Sequence, residues 1–170
     1  EEADIAEIVD FIRPLRIAQV IPNSVVIAGV LWEASTAGVR RSDYTIEPGA
    51  TSDAILKQIQ KDKKLGAWNV YCALYGTKEQ VEVNWNIVTG ALKQLGKGRM
   101  ITEEEAGNTE PFAYRAKLMS GIPNLREFGL YNWRGGGGSM WFAPVSQAKG
   151  NECDKQKTLA KTILNKHGLD

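Results

Sequence analysis

The hydrophobic period of the chain switches between residues 67 and 96, and that switch constrains the fold more than any other feature. The stretch "AWNVYCALYG" alternates Trp68, Val70, Cys72 and Leu74 with Asn69, Tyr71, Ala73 and Tyr75. Such alternation describes a strand with one strongly apolar face. Directly after it, "TKEQ" has the spacing of a capping box, with Thr77 as N-cap and Gln80 three residues on. Val81, Trp85, Val88, Leu92 and Leu95 then fall on one helical stripe, which Gly96 closes. A strand leading through a capped turn into a long amphipathic helix calls for an α+β fold in which the helix lies on a sheet.

The rest of the chain extends this pattern. "KGRMIT" reads as a short second strand, "EEEAGNTE" (103–110) as an acidic solvated loop, and "PFAYRAKLMS" as a short helix opened by Pro111 and broken by "GIPNL". "SMWFAPVS" (139–146) is strand-like, with Met140, Phe142 and Val145 inward. A last helix, capped near Asn151, carries Leu159, Ile163 and Leu164 and ends in "HGLD", where Gly168 can adopt the left-handed conformation. Residues 67–170 thus read as a ferredoxin-like β-α-β-β-α unit, an antiparallel sheet with flanking helices that lacks its last strand. The missing strand leads us to expect a piece of a longer polypeptide.

Residues 1–66 read as a helical lead-in. Ile5, Ile8, Val9 and Ile12 have helical spacing, and Pro14 is expected to end that helix. Asn23 or Ser24 can cap a second helix through Glu33, with the β-branched Val25, Val26 and Ile27 leaving a strand open. Residues 38–50 read as a surface loop. Thr51 or Ser52 caps a further helix bearing Ile55, Ile59 and Leu65, with Gly66 as its stop.

Composition narrows the possible functions. With 21 Lys and Arg against 20 Asp and Glu, no excess charge steers the chain to nucleic acid or an anionic membrane. The strand aromatics Trp68, Tyr71 and Tyr75 suggest base stacking, but the RNP1 pattern is missing. "SVVIAGVLW" is far short of the roughly 20 apolar residues needed to span a bilayer. Cys72 and Cys153 allow a disulfide, although two buried thiols fit a strand and a helix start better. A single histidine, His167, without C-x-x-C or H-x-x-x-H spacing, argues against a transition-metal site. G-x-S-x-G is absent, and "RGGGGS" is neither a dinucleotide fingerprint nor a P-loop, because it leads into a strand.

The richest local chemistry is "EFGLYNWR" (127–134), which holds a carboxylate, a phenol, an indole and a guanidinium just before the glycine run of "YNWRGGGGSMW". Such a run fits either a tight surface loop or the close approach of a bulky ligand to the backbone. Read from the residues alone, Glu127 is as well explained by pairing with Arg126 or Arg134, and Trp141 by a place in the core.

Taken together, "IAEIVDFIRPLR", "IPNSVVIA", "GAWNVYCALYG", "LMSGIPNLREFGLYNWRGGGGSMWFAPVS" and "HGLD" resemble the flavoprotein subunits of the para-cresol methylhydroxylase (4-cresol dehydrogenase) family, within the vanillyl-alcohol oxidase superfamily. The resemblance runs the whole length of the chain. Eugenol hydroxylases are equally similar on these residues.

The resemblance implies a two-domain FAD-linked oxidoreductase, of which this chain matches the cap, or substrate, domain. The FAD-binding domain is absent, as is a later segment whose tyrosine and arginine hold the substrate phenolate, so the isolated piece is expected to be inactive. It implies that Tyr131 forms an aryl ether with the flavin 8α-methyl carbon, a role that suits a phenol because its deprotonated oxygen is a competent nucleophile. Vanillyl-alcohol oxidases use a histidine from outside this stretch, so Tyr131 points to the branch that passes electrons to a cytochrome c subunit. Glu127 matches an active-site glutamate suited to proton removal or charge stabilisation. Trp141 matches a tryptophan beside the flavin on the electron path.

The implied reaction converts a 4-alkylphenol of the p-cresol type, by hydride transfer to flavin, into a quinone methide that water attacks. Partners would be that substrate, the cytochrome c subunit, the remainder of the flavoprotein and a second flavoprotein copy in a homo-oligomer. A cytochrome c partner favours the bacterial periplasm, with the cytoplasm left open. A reading of another class is a non-catalytic binding domain on the same fold, since fold alone does not decide function.

Overall fold

The computed structural model of the chain describes residues 1–124, 133–135 and 146–170. In chain order its elements are α1 (Ile5–Ile17), β1 (Val26–Gly29), α2 (Val30–Thr36), α3 (Asp53–Lys63), β2 (Trp68–Tyr71), α4 (Lys78–Leu95), α5 (Glu103–Asn108), α6 (Phe112–Met119) and α7 (Gly150–Lys166). Helices dominate. The strands β1 and β2 pair antiparallel, with Val26 opposite Tyr71 and Gly29 opposite Trp68. This pairing ties the lead-in to the strand at which the hydrophobic period changes.

Among the described residues, side-chain caps open three of the seven α-helices, α3, α4 and α5. Ser52 Oγ accepts from the Ile55 amide at 3.4 Å to open α3. Thr77 and Gln80 form the expected reciprocal box at α4, with donor–acceptor distances of 3.3 and 3.0 Å. Helix α7 lacks a cap from its own N-cap residue, Lys149, and Asn151 lies inside the helix. Asp10 of α1 replaces it by accepting from the Gly150 amide at 2.9 Å.

Several elements differ from expectation. Residues 26–29 form β1, and the helix begins only at Val30. The β-branched run is stiff in a helix and finds the pairing edge of β2. Pro14 does not end α1, since it lies in the last turn, where the helix has only one further turn to complete. Its carbonyl still accepts from the Ala18 amide at 2.9 Å, and buried Leu15 anchors the last turn. Helix α3 stops at Lys64 in the left-handed conformation, φ 55°, closed by a bond from the Leu65 amide to the Gln60 carbonyl at 2.9 Å. Gly66 serves a different need, since a Cβ there would lie 2.6 Å from the Trp68 carbonyl oxygen.

No strand forms at 97–102, where Gly98 takes φ +79° and breaks the extended run. The acidic stretch that follows is helix α5, capped by Thr102, whose hydroxyl accepts from the Glu105 amide at 3.2 Å. Acidic residues in a first helical turn complement its positive end. Apart from Ser146, the strand expected at 139–146 lies outside the described residues. The antiparallel sheet with flanking helices is present, and among the described residues it has two strands.

Val30, Ala34, Val39, Ile59, Leu65, Phe112 and Trp133 form the buried core under the sheet. A second seam joins α1 to α7, with Ile5, Val9, Ile12 and Leu15 of α1 buried. Each fully buried aliphatic side chain contributes roughly 1.5–3 kcal/mol. On α4, Val81, Val88, Leu92 and Leu95 are half-buried as their stripe predicts, whereas Trp85 stands 48% exposed. Cys72 and Cys153 are both free thiols, and burial pushes the Cys72 thiol above its ordinary pKa. No helix among the described residues is long and apolar enough to cross a membrane.

Candidate functional site

Glu127, Tyr131 and Trp141 lie outside the described residues, as do the glycines 136–138. The structure does place Trp133, Arg134 and Gly135, which begin two residues after Tyr131. Trp133 is 7% exposed and sits in the core. Its indole Nε1 donates to Asp170 Oδ2 at 2.9 Å. Arg134 Nε donates to the same oxygen at 3.1 Å, and its Nη2 reaches that oxygen at 2.9 Å and the Gly49 carbonyl at 2.9 Å. Arg134, one of the two arginines expected beside Glu127, is therefore engaged by Asp170 and Gly49.

The other Asp170 oxygen, Oδ1, accepts from the Thr51 amide at 2.5 Å. Arg41 completes the cluster, its Nε 3.9 Å from Oδ2 and its Nη2 donating to the Gly49 carbonyl at 3.1 Å. Residue 170 exposes its backbone, but its side chain is only 6% exposed. Burial raises the carboxyl pKa, yet bonds from the Thr51 amide and the Trp133 indole, with the Arg134 charge, outweigh it and hold the group below its ordinary 3.8. The backbones also meet closely here. Gly168 takes φ +69°, and a Cβ on it would lie 3.4 Å from Gly49 Cα.

Sequence reasoning missed this cluster. Residues 38–50 read as a surface loop, yet Arg41 is 9% exposed. "HGLD" was read only as a helix end, although a carboxylate just after a left-handed glycine is held where a fixed anion could recruit cations.

A second buried polar cluster also went unread. Glu33 is fully buried and Arg115 is 2% exposed. Arg115 Nη2 donates to Glu33 Oε1 at 3.1 Å, and the Tyr71 hydroxyl donates to Oε2 at 2.9 Å. The guanidinium also lies 5.2 Å from the Tyr71 ring centre and 5.0 Å from that of Tyr114. Burial, then the Glu33 charge, push the Tyr71 pKa above the ordinary phenol range, so the hydroxyl stays a neutral donor. The available signal was a charge, Glu33, directly following the longest apolar run. Tyr71 is taken up in this network, and the Tyr75 hydroxyl donates to the Met119 carbonyl at 2.8 Å.

No protein-family model matches the chain. Over all 170 residues it is 67% identical to the 4-cresol dehydrogenase (hydroxylating) flavoprotein subunit of Pseudomonas putida. The whole chain is similar to part of a flavoprotein. It spans 33% of that relative's length. A crystal structure of p-cresol methylhydroxylase with substrate bound superposes with a TM-score of 0.95 at 67% identity, covering all of this chain and 33% of that one. 4-Ethylphenol oxidase from Gulosibacter chungangensis, in an isoeugenol complex, superposes with a TM-score of 0.91 at 26% identity, covering all of this chain and 34% of that one.

A flavin is the cofactor that the flavoprotein relative implies. Four residues after Tyr131, Gly135 takes φ +79° and a Cβ built on it meets nothing within 4 Å. Trp133 and Arg134 turn inward to Asp170.

Proposed function

We propose that the chain forms much of the cap domain in the flavoprotein subunit of a covalent-FAD 4-alkylphenol dehydrogenase, a hydroxylase of p-cresol-type substrates. The observation that carries this reading is 67% identity across the entire chain, on the same backbone, to a 4-cresol dehydrogenase subunit. FAD, when bound, supplies the two-electron oxidising power, while the protein supplies position and electrostatics. The substrate passes through a quinone methide, water adds at the benzylic carbon, and the electrons leave to a cytochrome c subunit.

The chain's own residues take three roles in this reading. Tyr131 is the point of covalent attachment. Glu127 handles a proton or steadies positive charge developing on the substrate. Trp141 lies on the electron path, with the cytochrome docking on the Tyr131 side. The partners are the remainder of the flavoprotein, a second copy of it and the cytochrome, in a bacterial periplasm.

The test is mass spectrometry of the Tyr131 peptide from the full-length flavoprotein, together with Tyr131→Phe. The expected result is an FAD adduct on Tyr131 that disappears in the variant while the fold persists. Covalent flavin retained by Tyr131→Phe would overturn the assignment.

A further inference from the structure

We infer that the cleft between α2, α3 and α7 is the seat of the polypeptide segment that, in the full-length flavoprotein, leads into Glu1. This inference rests on reading the chain as part of a flavoprotein subunit. The cleft measures about 590 Å³ and is lined by Leu31, Leu56, Trp68 and Leu164 among others. That volume lies within the roughly 300–1,000 Å³ of clefts that take up a partner molecule.

The apolar surface does not stop at the cleft. On α7 it continues over Leu159 and Ile163, 62% and 51% exposed, with Leu164 beside them at 37%. Residues 159 and 163 are one turn apart and share a face, and the run from 159 to 164 extends about 7.5 Å along the helix axis. Another face of α7 is already taken up by α1. Contiguous apolar surface of this kind marks a place where something docks. A small molecule filling the cleft would leave Leu159 and Ile163 bare, whereas a stretch of polypeptide covers both.

Two observations select the segment ahead of Glu1. Glu1, Glu2 and Ala3 line the cleft, and Trp68 Nε1 donates to the Glu2 carbonyl at 2.9 Å. Lys161 of α7 donates to the Glu2 carboxylate at 2.6 Å. Residue 2 is thus pinned between β2 and α7, which brings a chain arriving at Glu1 to the mouth of the cleft. The chain spans 33% of the length of its flavoprotein relative, so the reading supplies such a polypeptide, and a segment tethered at the rim docks at high effective concentration. The second observation is Thr51, which lines the same cleft. It is 9% exposed, and its hydroxyl has no hydrogen-bond partner among the described residues. Buried polar groups are nearly always paired, and a main-chain N–H or C=O satisfies a hydroxyl without bringing a charge into an apolar cleft.

The experiment places the photocrosslinker benzoyl-phenylalanine at position 159 of the full-length flavoprotein, irradiates it and maps the product by peptide mass spectrometry. The expected product is an intrachain crosslink to a peptide that precedes Glu1. A crosslink to a second flavoprotein copy, to the cytochrome subunit or to a segment following Asp170, or no crosslink at all, would each overturn the inference. Leu164→Asp should loosen the seat and raise the rate at which a nonspecific protease cuts the segment ahead of Glu1 about 10- to 100-fold, the factor that matches exposing one buried leucine. Cutting inside α3 should not change, and an equal rise at both places, or a rise at neither, counts against the docking. If these variants do not fold, a short diazirine crosslinker attached to Lys57 of the wild-type protein, which also lines the cleft, decides in the same terms. The two levels fail separately. Absence of an FAD adduct on Tyr131 defeats the functional reading and leaves the crosslink map standing, whereas an adduct together with a crosslink elsewhere defeats only the docking.

Discussion

Replacing Arg115 by Met removes the guanidinium that faces the fully buried Glu33 at 3.1 Å and keeps most of the side-chain volume. Breaking a buried ion pair from one side costs about 3–5 kcal/mol, because the remaining charge loses its partner without regaining water. Loss of the guanidinium stacked near Tyr71 and Tyr114 adds about 1 kcal/mol. The bond from the Tyr71 hydroxyl to Glu33 stays in place, at 2.9 Å, and keeps the total towards the lower end. Amide hydrogen exchange of α2 and α6 in the full-length protein is the assay, because it reads local opening free energy whatever the chain length. At 3 kcal/mol or more, exchange through that opening quickens roughly 100-fold.

The matched control replaces Glu33 by Leu together with Arg115→Met. The ion pair is then removed from both sides at once, and one cost is the Tyr71 hydroxyl left without the Glu33 carboxylate, about 1–3 kcal/mol. The pair of changes should therefore be no worse than Arg115→Met alone. Exchange that rises less than about threefold in Arg115→Met, well below what 3 kcal/mol requires, would refute the reasoning. So would a cost of the pair equal to the sum of the two single changes.

Gly150→Ala should destabilise the α1–α7 seam, since a Cβ there would lie 2.1 Å from the Ala6 carbonyl oxygen and 2.7 Å from Asp10 Oδ2. Overpacking of this kind costs about 1–3 kcal/mol, and a lowered thermal midpoint checks it. An unchanged or raised midpoint, which the better helix propensity of alanine alone would produce, counts against the contact. The Asp170 cluster should also depend on pH. Because the folded pKa is depressed, its stabilisation is fully present above the ordinary value of 3.8 and is lost as pH falls through the lower folded pKa. The Trp133 indole N–H resonance, assigned by comparison with Trp133→Phe, should hold steady from pH 7 down to about 4 and shift only below that. A midpoint above 3.8 would refute the depressed pKa.

The parts of the fold legible in the sequence are those whose cause is local. Thr77 and Gln80 cap α4 because a hydroxyl and an amide three residues apart need no tertiary partner. At 68–71 the extended run does form β2, but it stops at Tyr71 and the apolar face expected from the alternation is not the buried one, since Val70 is 44% exposed and Asn69 only 9%, its side-chain amide donating to the Ala28 and Gly66 carbonyls. Where a tertiary partner decided, the local reading went astray. Val26 and Ile27 became strand because β2 offered an edge, and Asp10 displaced Asn151 as the cap of α7 because α1 packs there. Arg41 and Glu33 are buried only because partners distant in sequence accept their charge. Glu127, Tyr131 and Trp141 are proposed as site residues on whole-chain resemblance alone, since no period or spacing singles them out.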